Sequence, residues 1–287
     1  MFVTLKEVLA KANSNHFAVP AFNVSSSMLL RAVIEASEEN SSPVIIAIHP
    51  NELKFVRDSF VDAVRNEAER TRVPVCIHLD HGSTFEQCMH AISCGFSSVM
   101  IDASTLSFEE NIATTVKVTE AAHAAGVSVE AEIGTIGATG NGGEAGTDNI
   151  IYSDPNDVKT FIDATGIDAL AIAIGTAHGI YPKGKQPKLR MDILQEIRRL
   201  TDLPLVLHGG SDNPDSEISE AVKLGVSKVN ISSDIKRAFY IKCREILTDN
   251  TLREPCDIYP ECIEATKLVC NHKIKLFGAD GKAELYR

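Results

Sequence analysis

Apolar positions along this 287-residue chain gather into eight short runs, each nearly continuous rather than alternating with polar residues. The first four are 18–24 (AVPAFNV), 43–48 (PVIIAI), 74–81 (PVCIHLDH) and 97–103 (SSVMIDA). The other four are 128–134 (SVEAEIG), 168–175 (DALAIAIG), 204–210 (PLVLHGG) and 228–233 (KVNISS). Alternation marks a strand with one wet face; an unbroken Val/Ile/Ala run needs cover on both faces, as in a parallel sheet. Pro43, Pro74 and Pro204 open three of the runs, a position where a strand tolerates a missing N–H. Between the runs the spacing becomes helical. Residues 27–40 carry Leu30, Val33, Ile34 and Ala36, and residues 108–125 carry Ile112, Val116, Val118 and Ala122 ahead of Gly126, a helix-ending glycine. Stretches 192–200 and 215–224 behave alike, the second closed by Gly225.

Eight strand–helix units in about 250 residues predict a TIM (β/α)8 barrel, with residues 1–287 forming one domain. A doubly wound open sheet fits less well, because it carries a phosphate fingerprint after its first strand. Here Asn23-Val24-Ser25-Ser26 follows that strand, with no GxGxxG. Residues 1–17 predict a lead-in helix and 253–287 a C-terminal helical extension. Two segments break the rhythm. Residues 134–153 (GTIGATGNGGEAGTDNIIYS) are too glycine-rich for a helix and long for a strand–helix loop, which predicts a lid over a site. Residues 181–187 (YPKGKQP) form a basic loop whose Lys183 and Lys185 read as a solvated turn.

Barrels of this kind place their chemistry at the C-terminal ends of the strands. Those ends carry Asn23, His49, Asp80-His81, Asp102, Glu132, 175–178, His208 and 230–233. Three histidines and three carboxylates on one rim would leave costly buried charge unless a cation joins them. His81, His178 and His208 suit a zinc ion with three protein ligands and an open fourth position. Gly82, Gly179 and Gly209 stand beside them, where the backbone must turn. Asp80 and His81 are adjacent and cannot share one face of a regular strand, so one must lie just past its end. The turns Gly209-Gly210-Ser211 and Asn230-Ile231-Ser232-Ser233 end the seventh and eighth strands, where backbone N–H groups and a helix N-terminus hold phosphate. Ser233 and Asp234 also suit helix N-caps. No strand end carries a lysine, since Lys228 opens the eighth run at the opposite end; a Schiff-base mechanism lacks its nucleophile. No HxH in the first strand matches an amidohydrolase-type metal site. His78 reads as lining the barrel or orienting a ligand, Cys76 as core, and His49 as either a substrate contact or a capped strand end.

Charge narrows the partners. Twenty-eight Lys plus Arg against 39 Asp plus Glu give −11, which speaks against nucleic acid or an anionic membrane as partner but permits a phosphorylated small molecule. Seven cysteines, an odd number without knuckle spacing, read as reduced thiols. The N-terminal stretch lacks the apolar core of a signal peptide, and no apolar run approaches ~18 residues. A soluble, cytoplasmic protein is expected.

The motifs AVPAFN, HLDHG, VMIDAS, VEAEIG, AIAIGTAHG, LVLHGGS and KVNISSDIK, in this order, resemble the class II fructose-bisphosphate and tagatose-bisphosphate aldolases, with a closer likeness to the tagatose branch. The resemblance implies that His81, His178 and His208 bind catalytic Zn2+, and that Asp80 exchanges a proton with the aldehyde oxygen. It implies that Asp102 and Glu132 hold a second or displaced metal position. Gly179, Gly209, Gly210, Ser211, Asn230, Ile231, Ser232 and Ser233, with Asn23, then bind the dihydroxyacetone phosphate portion of a phosphorylated ketose. A monovalent cation (Na+ or K+) near the phosphate, a homodimer or homotetramer, and a helper subunit for some tagatose members also follow from it. Two departures stand out. The family's GGxED lid segment aligns with Gly137-Ala138-Thr139-Gly140-Asn141, so Glu144 becomes the candidate lid carboxylate. His49 replaces the family's small or hydroxyl residue. Both lie where the far half of the sugar would sit, which leaves open a ketose bisphosphate, a different ketose 1-phosphate, or a metal-binding non-catalytic subunit.

Overall fold

The computed structural model describes residues 1–138, 150–181 and 187–287. Helix α1 (Leu5–Ser14) leads into β1 (Val19–Asn23), α2 (Ser27–Glu39) and β2 (Val44–Ile48). A double connection, α3 (Pro50–Val56) and α4 (Ser59–Arg70), precedes β3 (Val75–Gly82). Then come α5 (Phe85–Cys94), β4 (Ser98–Ile101), α6 (Phe108–Ala124) and β5 (Ser128–Ile133). The chain continues through β6 (Gly137–Ala138), α7 (Pro155–Thr165), β7 (Ala169–Ile172), β8 (Ala177–His178) and α8 (Met191–Leu200). It ends with β9 (Leu205–Leu207), α9 (Asp215–Lys223), β10 (Val226–Ile231), α10 (Ser233–Ile246), α11 (Pro255–Leu276) and a 3-10 turn, Lys282–Tyr286.

Eight of these strands close a parallel barrel in the order β1-β10-β9-β7-β5-β4-β3-β2. All eight apolar runs became barrel strands, and each barrel strand is buried along its whole length, as cover on both faces requires. The helices start where the caps are. Ser26, Thr84 and Ser107 each accept a backbone N–H at the head of α2, α5 and α6, and Ser107 with Glu110 completes a capping box. The predicted lead-in helix is α1. It buries Leu5, Val8, Leu9 and Ala12 beneath the N-terminal end of the barrel, touching β1, β3, β5, β7 and β10. Each of the larger three contributes about 1.5–3 kcal/mol. The C-terminal extension is α11, which packs along α2 and α10.

Two expectations shift. The eighth strand begins at Val226, so Lys228 is its third residue and points into the barrel interior, fully buried, rather than opening the strand. Asp80 and His81 both belong to β3; what separates their side chains is His81 itself, at φ 51°, with a register slip against β4 between Leu79 and Gly82. The left-handed backbone at His81 costs an L-residue strain, a feature that collects at functional sites.

Beyond the barrel, β6 pairs in parallel with β8. Thr135 and Ile151 exchange backbone hydrogen bonds across the base of the predicted lid, where Gly134, at φ 75°, leaves no room for a Cβ against the Ile151 carbonyl. The stem of that segment is thereby joined to the residues that carry His178. Glu144, Lys183 and Lys185 lie outside the described residues. Among the described residues no helix is long and apolar enough to cross a membrane.

Candidate active site

At the C-terminal mouth of the barrel a narrow cavity is walled by Asn23, His49, Asp80, His81, His178, Gly179, Gly209, Ser211, Asn230, Ser232 and Ser233. The strand ends named from the sequence therefore meet at one place. His208 lies fully buried beside it. The rings of His81 and His208 stand 4.5 Å apart edge to face, and those of His81 and His178 4.8 Å apart. Ligand atoms of Asp80, His81 and His208 come within 4.8 Å of one another, and so do those of His81, Asp102 and Glu132.

Two of the three histidines are held by a carboxylate on one nitrogen while the other nitrogen has no hydrogen-bond partner. His81 Nδ1 lies 2.8 Å from Asp102 Oδ2, leaving buried Nε2 without one. His208 Nε2 lies 2.8 Å from Glu130 Oε1, leaving buried Nδ1 without one. A buried imidazole nitrogen without a partner is costly. A carboxylate behind the opposite nitrogen is the arrangement that fixes the tautomer of a metal-binding histidine. The donor set of imidazoles with nearby carboxylates fits a zinc-class cation better than magnesium or calcium. His178 is placed by different means: it belongs to β8, and the Tyr181 hydroxyl accepts the Ala177 N–H at 2.7 Å to close the turn after it.

The electrostatics of the site favour positive charge beside His81. Burial opposes a proton on His81, but Asp80, Asp102 and Glu132 outweigh it and push its pKa up to about 10. A bound cation would take that proton's place. His208 goes the other way, down to about 4, through burial and the positive charge of His81. Burial and the neighbouring Asp102 carboxylate raise Glu132 well above the ordinary glutamate range.

Asp80 is held from two sides. The Asn23 side-chain amide donates to Oδ2 at 2.7 Å and that of Asn230 to Oδ1 at 2.8 Å. Both asparagines thus orient Asp80, a role the sequence did not suggest. Burial opposes its charge, yet His81, His208, Lys228 and His78 more than offset that and keep the carboxylate ionised. Such an ionised, oriented carboxylate beside two partnerless imidazole nitrogens can accept a proton from a substrate hydroxyl.

The far side of the cavity is built from turns. Gly209 has φ 64°, and a Cβ there would lie 2.8 Å from the Ala177 carbonyl; Gly179 has φ 100°. Ser211 Oγ accepts the N–H groups of Ser232 and Asp234, tying the seventh strand's turn to the head of α10. Asn213 donates to the Gly209 and Ser211 carbonyls and stiffens the same turn. Gly210 and Ile231 do not reach the cavity wall. Ile231 is wholly core, and Gly210 is glycine because a Cβ would strike Val229 and the Asn230 carbonyl. His49 is both things the sequence left open: it lines the cavity, and its Nδ1 accepts the Asn51 N–H as the N-cap of α3.

Glu130 escaped the sequence reading. It lies in the middle of β5, fully buried, with its carboxylate 2.8 and 3.0 Å from the Lys228 ammonium and 2.8 Å from His208. His78 Nε2 is 3.7 Å away, while its Nδ1 meets the Ser98 hydroxyl at 2.8 Å. Burial and the Lys228 charge push His78 down to about 3, so it is neutral. The available signal was the period of two: Glu130 and Glu132 share one face of a strand, and so do Lys228 and Asn230. Cys76 is core, as expected, its thiol pushed up to about 12 by burial.

The family model for class-II fructose-bisphosphate aldolase matches residues 3–282. A Staphylococcus aureus (strain Mu50) protein named fructose-bisphosphate aldolase is 41% identical over 288 residues, covering 98% of this chain and 99% of the relative. One from Geobacillus stearothermophilus with the same name is 42% identical over 286 residues, covering 98% of each. Among solved structures, the YdjI aldolase from Escherichia coli K12 superposes with a TM-score of 0.86 at 33% identity, covering 99% of this chain and 100% of that one. None of these relatives is named for tagatose bisphosphate, so they lend no support to the closer likeness with that branch. With the match running almost end to end over a barrel whose mouth gathers its histidines and Asp80, the chain belongs to the class-II fructose-bisphosphate aldolase family.

Proposed function

We propose that residues 1–287 act as one zinc-dependent aldolase domain, reversibly splitting a ketose phosphate into dihydroxyacetone phosphate and an aldehyde. The observation that carries this reading is the pair of partnerless buried nitrogens, His81 Nε2 and His208 Nδ1, beside the oriented carboxylate of Asp80. His81, His178 and His208 would hold the ion. The chemistry supplied by bound zinc is Lewis-acid polarisation of the ketose carbonyl and stabilisation of the enediolate charge.

The chain's own residues do the rest. In the cleavage direction Asp80 takes the proton from the hydroxyl on the carbon that becomes the aldehyde. The carbon–carbon bond breaks, its electron pair stays with the dihydroxyacetone phosphate half, and a proton delivered to that carbon, from the lid carboxylate Glu144 in this reading, completes the product. Condensation returns the same proton to the aldehyde oxygen. Asn23 and Asn230 keep the carboxylate aimed, so its proton transfer needs no rearrangement. Gly179, Gly209, Ser211, Ser232 and Ser233 would receive the phosphate with backbone N–H groups and hydroxyls at the head of α10. Asp102 and Glu132, within reach of His81, would serve a second metal position. A sodium or potassium ion at the phosphate, a homodimeric or homotetrameric assembly and a helper subunit belong to the same reading.

For the substrate, the names of the relatives favour a fructose-type 1,6-bisphosphate. A second reading, a ketose 1-phosphate without the distal phosphate, is favoured by the imidazole of His49 on the cavity wall. Initial rates on fructose and tagatose 1,6-bisphosphates against ketose 1-phosphates separate them. A kcat/KM at least tenfold higher for a bisphosphate supports the first reading, and the reverse order supports the second. No turnover of either class by zinc-loaded protein would remove both.

A further inference from the structure

Away from the barrel mouth, the described residues hold one other group able to grip a metal, on the outer helical layer: Asp58, His90 and Cys94. His90 and Cys94 are four residues apart on α5, so both side chains leave the same face of the helix. Asp58 reaches the same spot from the N-cap position of α4. Its Oδ1 lies 3.0 Å from His90 Nε2, and Cys94 Sγ lies 3.6 Å from that nitrogen. One ligand atom from each lies within 4.8 Å of the others.

These separations resemble a coordination edge. In a tetrahedral zinc site with bonds of about 2.0–2.3 Å, neighbouring ligand atoms stand about 3.3–3.8 Å apart. The bland alternative is an exposed His90–Asp58 ion pair, worth at most about 1 kcal/mol. Two features exceed it. An ion pair has no use for a thiol one turn along. Asp58, at an N-cap, makes no capping hydrogen bond with its side chain and faces the His–Cys pair instead, although a cap commonly contributes about 1 kcal/mol.

We propose that Asp58, His90 and Cys94 form a second metal site, on the surface, for a borderline-soft divalent cation of the zinc class, with solvent completing the coordination. Sulfur and imidazole select zinc, cobalt or nickel over magnesium or calcium. Without the cation, burial and the Asp58 carboxylate raise the Cys94 thiol above its ordinary range, so the thiol stays protonated. On binding, the S–H proton leaves to solvent as the sulfur–metal bond forms. The site joins α4 and α5, the helices on either side of β3 in the chain, and so clamps the strand that bears Asp80 and His81. It takes no part in the aldol chemistry.

The test is a cobalt(II) titration of protein stripped of metal and then given a single equivalent of zinc, which the three histidines at the barrel mouth take, so that the surface site is open to cobalt. Binding is followed by near-ultraviolet absorption. Neither His81, His178 and His208 nor the Asp102–Glu132 pair contains sulfur, so a thiolate-to-cobalt charge-transfer band reports only a cysteine site. The expected result is a band that saturates at one equivalent and is lost in Cys94→Ser. His90→Ala should weaken binding at least about tenfold, since losing a ligand costs no less than losing a group behind one. Exposed Cys256 and half-buried Cys243 remain in Cys94→Ser as internal controls. Retro-aldol activity should be unchanged in both variants, which also shows that they fold. No thiolate band in the parent protein, or a band that persists in Cys94→Ser, would overturn the proposal.

Discussion

Asp80 combines three properties that are rarely found together: it is buried, ionised and pinned by two amides. Replacing it with Asn keeps the shape and removes the base. Asp80→Asn should therefore lower kcat by about 10²–10⁴-fold, with metal content measured by atomic emission unchanged. Loss of the metal as well would reassign Asp80 from proton transfer to metal retention. Asp102 acts one step further back, through His81 Nδ1. Asp102→Ala frees that ring to rotate, and the expected result is about 10–100-fold weaker zinc binding in a chelator competition. These positions were legible because a carboxylate or imidazole at a strand end has no place in a packed core. What the residues alone did not reveal was direction: that Asn23 and Asn230 turn toward Asp80, and that His49 both caps a helix and faces the cavity. Those depend on neighbours contributed by distant strands.

The strands show the same division between legible and hidden. Continuous apolar runs marked all eight barrel strands because parallel strands covered on both faces leave no alternation to misread. Their interior polar layer stayed hidden, since Glu130 and Lys228 sit within those runs and are explained only by each other across the barrel. Each would be prohibitive alone in a dry core. Lys228→Met should destabilise the fold by about 3–5 kcal/mol in urea unfolding, because it strands the Glu130 charge; adding Glu130→Gln should recover part of that loss. If Lys228→Met proves neutral, the pair is not the element that braces His208. The extra connection α3–α4 and the φ of His81 were equally invisible, the first because the 50–70 stretch lies between runs, the second because a backbone kink leaves no mark in residue type.

The molecule as a whole reads as a sealed barrel with one charged end. Its core fixes the strands, the strand ends fix two imidazoles, a carboxylate and its two amides, and the turns after β9 and β10 add neutral donors at a helix head. The N-terminal face, closed by α1, carries no comparable cluster among the described residues. A cation at the mouth would neutralise the carboxylates gathered around His81, so metal and fold should support each other. Chelation should lower the melting temperature as well as abolish turnover. The most direct test of this account is release of dihydroxyacetone phosphate from a ketose phosphate, measured on one preparation as purified, after chelation, and after adding back one equivalent of zinc. The account predicts activity, its loss, and its return in that order. Activity that survives complete removal of the metal would contradict it.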